Sequence, residues 1–160
     1  MKKYSLLLVA LLFLFSCGSD GSDGDDGKQD LTIFPGIGIT NVSIGDTGQD
    51  VFDNCGSVAD SYISFGSGYT HFLSYLKDGL TFYLETYDSE DLDLTKPVTR
   101  IQIDSPSTAR TESNIGVGSS KSDVIAAYGD PISSGIFGDE YDGMTIDYDD
   151  ADLVESIEIQ

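Results

Sequence analysis

The sequence predicts an α+β domain made of two diverged copies of a short helix followed by an antiparallel β-meander, the copies sharing one core. Three observations lead there: matched helix caps at Thr47 and Ser120, Asp-Gly turns at Asp78 and Asp142, and similar strands at Val98–Ile103 and Val154–Ile159.

The chain opens with Lys2 and Lys3 and then an unbroken apolar run, Leu6 through Phe15. That pattern reads as the charged and apolar regions of a signal peptide spanning residues 1–16. The run is half the roughly 20 residues a membrane-spanning helix needs, and no later stretch approaches that length. The residues Leu14-Phe15-Ser16-Cys17 that end the run resemble the lipobox of bacterial lipoproteins. The resemblance implies cleavage before Cys17, a diacylglyceryl thioether on its sulfur and an acylated amine. Two or three acyl chains hold a protein stably on a membrane, where one does so only marginally. Gly18 departs from the Asp that retains enterobacterial lipoproteins in the inner membrane, so the expected location is the outer membrane, facing the periplasm or the surface.

The chain has two cysteines. With Cys17 lipidated no disulfide is expected, and Cys55 reads as a small buried hydrophobe at a helix end. The formal charge is −20, and loss of Lys2 and Lys3 with the leader makes the mature chain more acidic still. Such a protein is repelled by phosphate backbones, so nucleic acid is not an expected partner. Residues 17–30 join the lipid to the fold: Gly18 through Asp30 contains no apolar residue and should form a disordered acidic tether.

Residues 31–160 form the expected globular domain, with copies at about 38–103 and 111–159. Thr47 and Ser120 are N-cap candidates, Asp50 and Asp123 stand three residues on to complete a capping box, and Gly56 and Gly129 suit C-caps. Only two turns fit between these signals. Val51, Phe52 and Cys55 in one helix, and Val124, Ile125 and Tyr128 in the other, are expected on one buried face. Asp78-Gly79 and Asp142-Gly143 suit two-residue hairpin turns, with strands at Leu80–Thr86 and Met144–Tyr148 after them. The acidic stretch Asp88–Asp93 reads as a solvated loop in the first copy.

The segment Gly118-Ser-Ser-Lys-Ser-Asp-Val124, running to Gly129-Asp-Pro131, resembles the capped-helix pattern of small envelope lipoproteins of the SmpA/OmlA type, seen also in tandem-repeat proteins of the β-lactamase-inhibitor-protein fold. The first copy has Ser57-Val58 where the proline would fall. The resemblance implies an exposed sheet face used for protein contacts.

No catalytic constellation emerges. His71, in a strand beside Leu73 and Tyr75, has no identifiable triad partner. Ser74-Tyr-Leu-Lys77 matches a serine–lysine motif without its companion motifs, and Gly116–Ser122 lacks the glycines of a phosphate loop. Asp147, Asp149, Asp150 and Asp152 are the weak candidates for a divalent cation, with Asp147 and Asp149 expected on one strand face. Tyr62, Tyr69, Tyr75 and Tyr83 could give a sheet surface suited to amphipathic contacts. The expected function is therefore a non-catalytic, lipid-anchored interaction or structural module, without cofactor, facing an envelope protein or surface polymer. An envelope enzyme using Asp147 and Asp149, or a cation-binding surface protein, is the alternative.

Overall fold

The computed structural model describes residues 31–56, 60–65 and 68–160. The signal peptide, Cys17 and the acidic tether lie outside these residues. Chain order begins with three short strands, β1 (Thr32–Phe34), β2 (Gly38–Ile39) and β3 (Val42–Ser43), and helix α1 (Gly48–Cys55). Then come β4 (Asp60–Phe65), β5 (Tyr69–Tyr75), β6 (Leu80–Leu84), β7 (Val98–Asp104) and β8 (Arg110–Thr111). Helix α2 (Lys121–Tyr128) precedes β9 (Ser133–Gly135), β10 (Gly138–Tyr141), β11 (Met144–Tyr148) and β12 (Val154–Ile159).

Two sheets result, a small one in the order β3-β2-β1-β8 and a large antiparallel one in the order β4-β5-β6-β7-β12-β11-β10-β9. The centre of the large sheet is the β7–β12 pair, where Ile103 faces Ile157 and Ile101 faces Ile159. Alternation along each strand sends one set of side chains to the core. Leu73, Phe82, Ile101, Ile103, Ile146, Ile157 and Ile159 are fully buried there with Val51 of α1, Val124 of α2 and Ile33 and Val42 of the small sheet.

This architecture corrects the α+β expectation. The domain is mostly β, and two-turn helices followed by meanders are not its organising unit. The helices are too short to form a layer: α1 buries Gly48, Val51 and Cys55, and α2 buries only Val124. Ile125, expected on the buried face of α2, is 38% exposed. The β content rises through strands with no readable period, among them β1, β2, β3 and β8, whose parallel β1–β8 pairing brings Ile33 beside Thr111.

Local signals act as their chemistry dictates. Thr47 Oγ1 accepts from Asp50 N while the Asp50 carboxylate accepts from Thr47 N, a complete capping box, and Ser120 Oγ accepts from Asp123 N. Asp142-Gly143 closes the expected two-residue turn between Tyr141 and Met144, with Gly143 at φ +73, whereas Tyr75 pairs with Leu80, so Asp78-Gly79 ends a longer loop over 76–79 in which Gly79 takes φ +62. The segments entering both helices are tied to the large sheet in the same way: Gly45 N donates to Val98 O, and Gly118 N donates to Val154 O. Cys55 is buried and disulfide-bonded, which corrects the expectation of no disulfide; its partner lies outside the described residues.

Candidate functional site

The large sheet has a second face, opposite the core, and its side chains are polar or amphipathic. Ser74, Thr81, Gln102, Glu158, Thr145, Glu140 and Ser133 are successive cross-strand partners from β5 to β9. At the β5 end Ser74 is buried, and the row becomes exposed toward Glu140 and Ser133. Neighbours in the row are joined by side-chain hydrogen bonds, Ser74 Oγ to Thr81 Oγ1 at 2.7 Å and Ser133 Oγ to Glu140 Oε2 at 2.7 Å.

A second row carries the aromatic and basic groups. Phe72 meets Tyr83 edge-to-face with ring centroids 4.7 Å apart. Arg100, the cross-strand partner of Tyr83, lays its guanidinium 3.7 Å from the ring centroid and reaches Glu158 Oε2 at 3.3 Å. Tyr83 in turn donates its hydroxyl to Gln102 Oε1. Burial raises the Tyr83 phenol above its ordinary value, with Arg100 acting in the opposite sense, so it stays a neutral donor. The two rows form a pre-ordered polar surface in which a cation, two carboxylates, hydroxyls and an aromatic face stand at fixed spacing.

The other predicted residues are dispersed. Asp147 Oδ1 accepts from Tyr148 N, and Asp149 Oδ1 accepts from Ala151 N and Leu153 N. The pairing shifts register between Asp147 and Tyr148 and the strand ends at Tyr148, so Asp149 belongs to the turn and not, as expected, to the face that holds Asp147. Asp150 and Asp152 are exposed in that turn. Among the described residues, no three His, Cys, Asp or Glu side chains converge as metal ligands. His71 is 1% exposed, stacks on Tyr87 with centroids 5.0 Å apart and contacts Ser89 O through Nε2 at 3.3 Å. Tyr75 donates to Gly56 O, which fastens the end of α1 to the sheet, and Tyr69 donates to Glu90 in the acidic loop. Tyr83 alone of the tyrosines singled out above takes part in the open face described here; the side chain of Tyr62 lies outside the described residues.

Sequence reasoning missed the ion pair that seats α2. Lys121 Nζ lies 2.7 Å from Oδ2 of Asp139, which is 4% exposed, and 4.6 Å from the centre of the Tyr148 ring. Desolvation pushes the Asp139 carboxyl upward, but hydrogen bonds from Lys121 and Ser134 and the charge of Lys121 outweigh it and hold it below the usual range. Burial, followed by the Tyr141 hydroxyl, holds the Tyr148 phenol far above its usual value. Tyr128 donates to Thr111 Oγ1 at 2.7 Å. These polar contacts supplement the one buried residue of α2. Beside the helix, a surface groove of about 590 Å³ is lined by Arg110, Asn114, Ile115, Ser119 and Asp123 among others. Its Arg110 is engaged with Ser119 Oγ at 2.8 Å and Val117 O at 3.3 Å, so it braces the loop that enters α2.

Fold and site together define a mostly β domain with one core face and one polar, partly exposed sheet face. No protein-family model matches the chain, and no curated protein or solved structure matches it.

Proposed function

We propose that the chain is an envelope lipoprotein, anchored through Cys17 in the outer membrane, whose domain is a non-catalytic interaction module that meets another envelope protein or a surface polymer. The observation that carries this reading is the registered face of the large sheet, in which Arg100 is held over Tyr83 and against Glu158. Pre-ordered aromatic, guanidinium and carboxylate groups lower the entropy cost of recognition. The lipobox-like residues ending at Cys17 supply the anchor, and the acidic, apolar-free segment after it supplies the reach. Asp149, first considered for chemistry with Asp147, braces a turn through its carboxylate and stands off the strand that holds Asp147, which favours a binding role over a hydrolytic one.

The test is site-specific photo-crosslinking of the full chain in cells. A crosslinker at Thr81 or Thr145 on the open face should capture a reproducible partner, and one at Gln49 on the outer side of α1 should not. Equal labelling from all three positions, or none from any, would overturn the reading.

A further inference from the structure

The last hairpin of the large sheet carries a feature that folding does not require. Its strands β9 and β10 pair through Gly135 and Gly138, which leaves a two-residue turn, Ile136-Phe137. Two-residue turns favour Asn, Asp or Gly, because the backbone often takes positive φ there and the side chains point into water. Neither Ile136 nor Phe137 has positive φ, so this turn accepts almost any residue, and yet it holds two large hydrophobes at 90% and 82% exposure. Ile132, at the start of the same hairpin, is 70% exposed. Gly138 presses against the backbone of Ile146 and Asp147 with no room for a Cβ, which fixes the turn to the end of β11. The exposed pair presents roughly 300 Å² of apolar surface on a hairpin that is paired to β11.

The surroundings of this tip are acidic. Beyond β11, beside Gly138, comes the turn that contains Asp149, Asp150 and Asp152, all exposed. Lys121 enters at the same end, but its charge is engaged by Asp139. An apolar prong beside a negative rim on a chain of net charge −20 selects against anionic membranes and against a second copy of itself.

We infer that the Ile136-Phe137 tip is a docking prong for a cationic protein surface that offers an apolar slot rimmed by Lys or Arg. This deepens the interaction-module reading and rests on it, and it places a second contact at the end of the sheet, apart from the Arg100–Tyr83 face.

The test measures binding of the full chain to a 14-residue amphipathic helical peptide of Leu and Lys, by calorimetry at low and high salt. Saturable 1:1 binding is expected, weakened at least tenfold by Ile136→Ser/Phe137→Ser with an unchanged Tm, and weakened also by salt. The same double variant should lose the photo-crosslinked partner. Peptide binding that ignores the double substitution overturns the proposal, as does partition of the wild-type tip into phosphatidylcholine vesicles in place of peptide binding, or a dimer that the substitution dissociates. If the double variant still crosslinks from Thr81 and Thr145, the tip proposal fails and the sheet-face reading stands. If crosslinking from those positions fails in the wild type while the tip binds peptide, the sheet-face reading fails alone.

Discussion

Arg100 rests its guanidinium 3.7 Å from the centre of the Tyr83 ring while reaching Glu158 at 3.3 Å, so one side chain spans three neighbouring strands on the open face. Its side chain is 38% exposed, and stacking and surface ion pairs of this kind each contribute less than about 1 kcal/mol. Arg100→Ala should therefore leave the Tm within a few degrees of wild type while lowering crosslinked partner yield several-fold. Lysine lacks the planar fork and should not restore the yield. A substitution that unfolds the domain, or leaves capture intact, would contradict the assignment.

Acid should act on the Lys121–Asp139 pair. Because the folded carboxyl lies below its ordinary value, its contribution is present above the ordinary carboxylate range and is lost as pH falls through the depressed value. Lys121 is raised, chiefly by its hydrogen bond to Asp139, so its contribution is lost only as pH rises through that raised value. Lys121→Met leaves a buried carboxylate without its cation and should cost about 2 kcal/mol near neutrality, below the range for fully buried pairs because Lys121 is partly solvated. Urea melts at several pH values should show the variant losing less stability than wild type on acidification.

The α1 cap gives a local test. Thr47→Ala removes the side-chain acceptor for Asp50 N and should cost about 1 kcal/mol, a fall in Tm of about 4 °C, whereas Thr47→Asn should retain most of it. Asp50 is held below its usual value first by the Thr47 hydroxyl, so the cap is complete above the ordinary carboxylate range and weakens as pH falls through the lowered value. Calorimetric melts of both variants would check this.

Gly143 joins the two sheets. Its carbonyl accepts from Gly36 N at 2.7 Å, its φ is +73, and a Cβ added there would stand 2.3 Å from Gly36 N. Gly143→Ala combines backbone strain with a collision against another main chain and should cost about 3 kcal/mol or more. Denaturant melts would register that loss, and hydrogen exchange should show the small sheet opening first.

Cys17 can be read by mass. One sulfur cannot hold both a diacylglyceryl thioether and half of a disulfide, and the chain's other cysteine, Cys55, is disulfide-bonded here. Intact mass of the mature protein from membranes should show the lipid on Cys17, and Cys17→Ser should release the chain to the soluble fraction. An unlipidated mature chain carrying a Cys17–Cys55 bridge would end the lipoprotein reading.

The features legible in the sequence are those whose chemistry is local. Thr47 with Asp50 and Asp142-Gly143 act within a few residues of themselves, and β12 buries its apolar residues Val154, Ile157 and Ile159. The missed features depend on distant partners. The two-residue strand β8 exists because Thr111 pairs beside Ile33, and Asp139 is buried because Lys121 meets it from another element. The pairing shifts register after Asp147 and the strand ends at Tyr148, so Asp149 lies off it, something a strict two-residue period cannot register. An exposed sheet face was implied by the resemblance, but of its side chains only Tyr83 was named for it, because the row from Ser74 to Ser133 exists only once β7 and β12 are paired.

That pairing also orders events in time. β12 follows every other strand in the chain, yet it fills the middle of the large sheet between β7 and β11. Until it arrives, the strands already made form two separate arrays, each with an apolar edge row at Ile101 and Ile103 or at Met144 and Ile146. Closure is thus a late, long-range event, slow by nature because distant segments must meet before any of their contacts form. The large sheet therefore stays unlatched until β12 is in place, and then locks along one seam.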